Sequence, residues 1–342
     1  MTLPPFSTVP RTPQSLPQAT SAARGGVAER RIRERVGGSG GGGGWWNLRS
    51  RSAPYLFLLP YFLVTAVFFV YPLVYAMILA FYQTNGPARK AYVGLANFQF
   101  VLTDPDFHRA LGNTLVFTAA SLLLQLPMSL MLAMLLNGKI DRSRSIFRLV
   151  IFAPNLVGQV FVGILFGMLF TPRFGLFNKL LNATIGWGLE KQWLADAQLV
   201  MPAVVIASLW LYVGFNMIYF LAALQNVDQS LIEAARIDGA GPWQMFLNVT
   251  LPAIAPVATF VVVTSTIGSL QLFELPYTLL QNNNSGFGPD NSGLTIVGYL
   301  YQYAREAGDL GTAAAVGWVL TCMIFVVSLV QIRLSTYVGS TK

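Results

Sequence analysis

The sequence predicts an all-α membrane protein with six transmembrane helices and both termini cytoplasmic. Three observations predict it. Of 342 residues, 54% are hydrophobic and only 11% charged, whereas soluble domains carry about a quarter charged. Six apolar runs reach the ~20 residues that a helix needs to cross a bilayer. They lie at about 55–81, 113–136, 149–170, 200–225, 253–276 and 311–332, and none has Lys or Arg in its interior. Finally, the gaps between them alternate in basic charge.

With the N-terminus inside, fifteen basic residues fall on one side: eight Arg in the tail to Arg51, then Lys139, Arg142, Arg144, Arg148, Arg236, Arg333 and Lys342. Seven fall on the other: Arg89, Lys90, Arg109, Arg173, Lys179, Lys191 and Arg305. The richer side is cytoplasmic by the positive-inside rule. The net charge of +8 is mostly this topology signal. Arg30, Arg31, Arg33 and Arg35 read as a contact for anionic lipid rather than nucleic acid.

Residues 1–52 are rich in Pro, Gly and Arg, with little to bury, and are expected to form a disordered cytoplasmic tail. Trp45 and Trp46 mark its arrival at the headgroup layer. The first apolar run, from Tyr55, is long enough to span, so no cleaved leader is expected. Residues 336–342 form a short tail. Catalytic chemistry has no basis here. His108 is the one histidine and Cys322 the one cysteine, so neither a His-paired metal site nor a disulfide within the chain can be built. Gly138-Lys139 is followed by Ile140 and lacks the upstream glycine of a phosphate loop. No catalytic residue, metal ligand or cofactor is assigned, and ATP, if used, is hydrolysed on another chain.

The cytoplasmic gap 226–252 is itself helical in pattern. Ser230 and Glu233 have capping-box spacing, which starts a helix at Leu231. Leu231, Ala234 and Ala235 make a compact apolar patch that a partner surface could approach. Gly239 ends this helix, Gly241 and Pro242 start a second, and Pro252 closes that one. The expected product is a rigid helix-turn-helix under the membrane.

The pattern Glu233-Ala234-Ala235-Arg236-Ile237-Asp238-Gly239, with Val249-Thr250-Leu251-Pro252 after it, occurs by chance on the order of once in 10^5 sequences. It resembles the EAA loop of membrane subunits of bacterial ABC importers. From about residue 54 to 335 the chain is similar to their carbohydrate-uptake permeases, of maltose and glycerol-3-phosphate type. Tyr92–Phe98 with Asp104–Phe107 and Asn113-Thr114 carries this likeness. So do Phe147–Pro154 with Gly175–Asn178, Gly268–Phe273, and Gly311–Ala315. The segment Gln281–Pro289 departs from it, being longer and richer in Asn, which bears on docking of a binding protein outside.

The resemblance implies residence in the bacterial inner membrane beside a second permease, two ATPase subunits that bind ATP and Mg, and an extracytoplasmic solute-binding protein. It implies that Glu233, Ala234, Ala235, Arg236, Asp238, Gly239, Leu251 and Pro252 dock the ATPase. It also places Ser208, Leu211, Tyr212, Phe215, Ser265, Gly268 and Ser269 at positions of sugar contacts. Asn216, beside Tyr212 and Phe215, suits the same role by chemistry, since aromatic faces with nearby hydroxyl and amide groups match a sugar. Helix packing accounts for small polar residues equally well, and the substrate could instead be held by the partner permease. A permease for a non-sugar solute remains open. So does an ion-coupled secondary transporter, whose required intramembrane ionisable residue would have to be Glu274.

Overall fold

The computed structural model describes Tyr55 and residues 57–340, apart from 85, 87–89, 139–141, 174, 187–190 and 282–285. The tail 1–52, with its arginines and Trp45–Trp46, lies outside the described residues, as do Arg89, Lys139 and Lys342.

The described chain is overwhelmingly helical: α1 (Phe57–Leu79), α2 (Ala96–Thr103), α3 (Pro105–Leu136), α4 (Arg142–Phe152), α5 (Gln159–Leu169), α6 (Leu176–Ile185), α7 (Ala197–Gln225), α8 (Gln229–Ile237), α9 (Pro242–Leu270), α10 (Glu274–Leu280), α11 (Ile296–Tyr301) and α12 (Leu310–Ser340). One small addition to the all-α expectation is an antiparallel ribbon of β1 (Tyr82–Thr84) and β2 (Lys90–Tyr92), with Tyr82 opposite Tyr92. The chain divides into two units at Tyr71–Pro72. Of the first, the described helix from Phe57 to Tyr71 exposes every side chain but Thr65. The packing and the sites described below belong to the second.

Five helices are long and apolar enough to cross a membrane: α1, α3, α7, α9 and α12, with α4–α5 a bent pair that makes a sixth. The protein is therefore a multi-pass membrane protein. Expected span 149–170 is not one straight helix. Its two halves, Ser143–Leu156 and Gln159–Leu169, meet at 98° across Val157–Gly158, where Gly158 has φ +25°; a 3-10 turn, Ala153–Leu156, comes just before the bend. Pro154 has no amide to give to a continuing helix. Span 113–136 begins earlier, at Pro105, because Asp104 caps it by accepting from the Asp106 N–H. The helix of span 311–332 likewise runs on to Ser340, through most of the expected tail 336–342.

Two further expectations fail. Pro252 does not close a second short helix, and span 253–276 is shifted: α9 runs unbroken from Pro242 to Leu270. A π turn at Phe246–Thr250 precedes Pro252, with the Leu251 N–H reaching Phe246 O. Shifting the bonds by one residue accommodates a proline that would otherwise strike the preceding turn. Leu272 and the residues after it then leave the helix axis, and α10 packs instead against α5.

Helix α7 is the central element. Of its most apolar stretch 61% is buried, as expected of a helix that is hydrophobic all round. Its upper half joins Phe117, Phe166, Phe170, Leu275 and Leu279 in one cluster. Its lower half packs Met217, Phe220 and Leu224 with Leu126, Ile254 and Val261. Gly214 permits closest approach: a Cβ there would lie 1.9 Å from Ile151 O. A third cluster joins Val101, Phe107, Tyr299 and Val316 from α2, α3, α11 and α12.

Candidate functional site

Helix α8 starts two residues earlier than its sequence signal suggested. Asp228, not Ser230, is the N-cap: its carboxylate accepts from the Ser230 N–H at 2.9 Å. Accepting from the Ser230 amide and hydroxyl holds the Asp228 carboxyl below its usual range. Both residues are good caps, and Asp228 wins because its backbone is extended, as an N-cap requires, whereas Ser230 already lies inside the helix. Glu233 then falls in the middle of the helix, with no capping-box role. Gly239 does what was expected. It has φ +80° just past the C-cap Asp238, a conformation that costs other residues ~1 kcal/mol. Gly241 precedes Pro242 at N1, and Gln244 Oε1 accepts from the Gly241 N–H at 3.1 Å.

The helix is strongly two-faced. Ile232 packs on the core cluster below α7, whereas Leu231, Glu233, Ala234, Arg236, Ile237 and Asp238 are exposed and Ala235 is half-buried. Ile237 is 86% exposed and the neighbouring Trp243 70%. Large apolar side chains this exposed mark an interaction surface. Leu251 and Pro252 sit apart from that face. They belong to α9 and line an apolar groove of about 610 Å³ against α12.

A separate cavity of about 340 Å³ opens where α3, α5, α7 and α9 converge. Tyr212, Phe215 and Asn216 reach it from one face of α7, and Ser265, Gly268 and Ser269 from α9. Six of the eight proposed pathway residues therefore meet. Ser208 and Leu211 do not: the Ser208 hydroxyl bonds back to Val205 O at 2.7 Å and Leu211 is core. A Cβ at Gly268 would meet nothing within 4 Å, so that position keeps the cavity wide. Also lining it are Phe117, Ser121, Gln125, Gln159, Thr264, Gln271 and Leu272, absent from the sequence assignment. Phe117, Ser121 and Gln125 recur every fourth residue in α3, a pattern visible in the sequence. Gln159 reaches the cavity only because of the α4–α5 bend. No lining residue is charged. Glu274 is exposed in the first turn of α10, beyond the end of α9 rather than inside it.

The model of the family described as "binding-protein-dependent transport system inner membrane component" matches residues 125–340. The chain belongs to this family. It is 40% identical over 293 residues to the arabinooligosaccharides transport system permease protein AraP of Bacillus subtilis, covering 85% of this chain and 90% of that one. The lactose transport system permease protein LacF of Rhizobium radiobacter is 36% identical over 278 residues, covering 81% and 92%. A bacterial ABC transporter structure, involved in import of the acidic polysaccharide alginate, shares the fold with TM-score 0.73 and 24% identity, over 85% of this chain and 98% of that chain. Chains of this family are transport subunits, not enzymes. Among the described residues, no three of His, Cys, Asp and Glu gather as metal ligands.

Proposed function

We propose that this chain is the permease subunit of an ATP-driven importer, moving a sugar or sugar-like solute across the bacterial inner membrane by alternating access. The observation that carries this reading is the exposed apolar face of α8 on the Glu233–Gly239 pattern, in a member of this transport family. That face is the coupling surface for an ATPase subunit. The positive-inside count puts it, with both termini, in the cytoplasm. ATP and Mg are held by two such subunits. A second permease completes the pathway, and a binding protein delivers solute from outside. The cargo class draws on the relatives, named for arabinooligosaccharides and lactose, and on aromatic rings beside hydroxyls and amides in the cavity. An ion-coupled reading has no buried carrier in Glu274, which is exposed.

Closure of the ATPases draws α8 toward its counterpart and turns the paired spans from inward- to outward-facing. The Glu233→Lys, Gly239→Asp double variant tests this: it reverses a charge on the face and forces a side chain into positive φ. Expected are normal membrane insertion and loss of the co-purified ATPase, or ATP hydrolysis no longer linked to uptake. Uptake at the wild-type rate would overturn the assignment.

A further inference from the structure

The hydroxyl residues of α3 behave alike except one. Thr114, Thr118 and Ser129 each donate to the carbonyl four residues earlier, at 2.7–2.8 Å. Ser121 does not. Its hydroxyl is buried, the residue 2% exposed, and has no hydrogen-bond partner among the described residues. A buried polar atom without a partner is costly and calls for a specific explanation.

The explanation lies in the backbone. Ser121 opens a π turn, Ser121–Gln125, and its own N–H is already shared between Phe117 O and Thr118 O. In a regular helix Gln125 would lag Phe117 by about 80° after two turns. The wider turn takes up part of that lag, so Phe117, Ser121 and Gln125 line the same cavity. Gln125 is itself only 4% exposed. Such turns are frequent at functional sites.

We infer that Ser121 and Gln125 bind hydroxyls of an uncharged polyhydroxylated solute, and that they set the specificity of the cavity against anions. This rests on the reading of that cavity as the translocation pathway. A hydroxyl and a carboxamide both donate and accept, as sugar hydroxyls do. The lining offers a phosphate or carboxylate no Lys, Arg or His. Burying an anion without a cation is prohibitive.

The test uses the complete importer in cells, with radiolabelled lactose, arabinotriose, sn-glycerol 3-phosphate and galacturonate as probes. Wild type is expected to take up at least one of the two neutral sugars and neither anion. Ser121→Ala and Gln125→Leu should each raise KM for that sugar about tenfold, the order of one lost hydrogen bond. Ser121→Thr, which keeps the hydroxyl, should restore it. Complex abundance in the membrane should match wild type, which separates lost binding from failed assembly. Uptake of the anions instead, or an unaltered KM in both variants, overturns the inference. Tyr212→Ala separates the two levels: if it impairs uptake while Ser121→Ala and Gln125→Leu do not, the pathway stands and this inference falls. If none of the three has an effect, the pathway reading falls too.

Discussion

The end of the bundle around Asp104 and Asp309 and the opposite end, around α8, both carry recognisable motifs, but their side chains look in different directions. At the first, polar groups close on the chain itself. Asp309 Oδ1 accepts from the N–H groups of Thr84, Gly311 and Thr312 and from the Thr84 hydroxyl, at 3.1–3.3 Å. The Asn97 carboxamide donates to Ala80 O and Tyr82 O, both at 2.9 Å. Asn113 donates to Leu294 O and Asn291 O, and the Tyr299 hydroxyl donates to Asp104. Burial, with that carboxylate accepting its hydroxyl, keeps Tyr299 protonated far above the ordinary tyrosine range. Around α8 the reverse holds: beyond its caps, the motif residues face outward. A motif can thus recur because it holds a fold together or because it fits another molecule, and burial separates the two.

Four substitutions sharpen that contrast. The largest effect is expected at Gly311, where a Cβ would lie 1.7 Å from Tyr82 O. Backbone cannot yield there, so Gly311→Val should cost about 3 kcal/mol or more and sharply lower the yield of folded protein in detergent. Gly239→Asp, at a site with open space around the Cβ, should leave yield and thermal midpoint nearly unchanged while uptake is lost. Equal yields for these two variants would erase the distinction.

Asp309→Ala comes next. It leaves Thr84 and the first amides of α12 without their acceptor, a loss of about 2 kcal/mol for bonds to a charged group. A lowered thermal midpoint with intact ATPase binding is expected. Loss of ATPase binding at an unchanged midpoint would contradict the structural role.

The smallest effect belongs to Asp228→Ala, which removes the α8 cap. Amide exchange in the first turn of α8 should speed up severalfold while the rest of the bundle keeps its protection. Because the folded carboxyl titrates below its unfolded value, the cap contributes above about pH 4 and is lost as pH falls through the lowered value. Protection at Ser230 and Leu231 in the wild type, measured relative to the intrinsic exchange rate at each pH, should therefore fall on acidification. Protection that rose in acid would be inconsistent with this cap.

How far the sequence alone reached differs by region. Hydropathy located the five long apolar helices and the bent pair α4–α5, since a run of ~20 apolar residues needs no knowledge of its neighbours. The Gly239 turn was equally legible, because positive φ after a helix is a property of one residue and its own backbone. Six of the eight residues that the sequence reading assigned to a pathway line one cavity, because i, i+3, i+4 spacing on a helix fixes a shared face. Local chemistry was ambiguous at the start of α8, where two caps stand two residues apart and only the exit of α7 chooses between them. What tertiary structure alone decided is where helices break or continue: the 98° bend at Val157–Gly158, just after Pro154, and the passage of α9 through Pro252. A proline says that a bond is missing, but whether the chain turns or absorbs the gap in a π turn depends on what packs around it. The same holds for Ser121 and Gln125, ordinary small and polar residues in the sequence. Only a π turn and three converging helices bring them to one cavity, because burial is a property of the packed assembly and not of the segment.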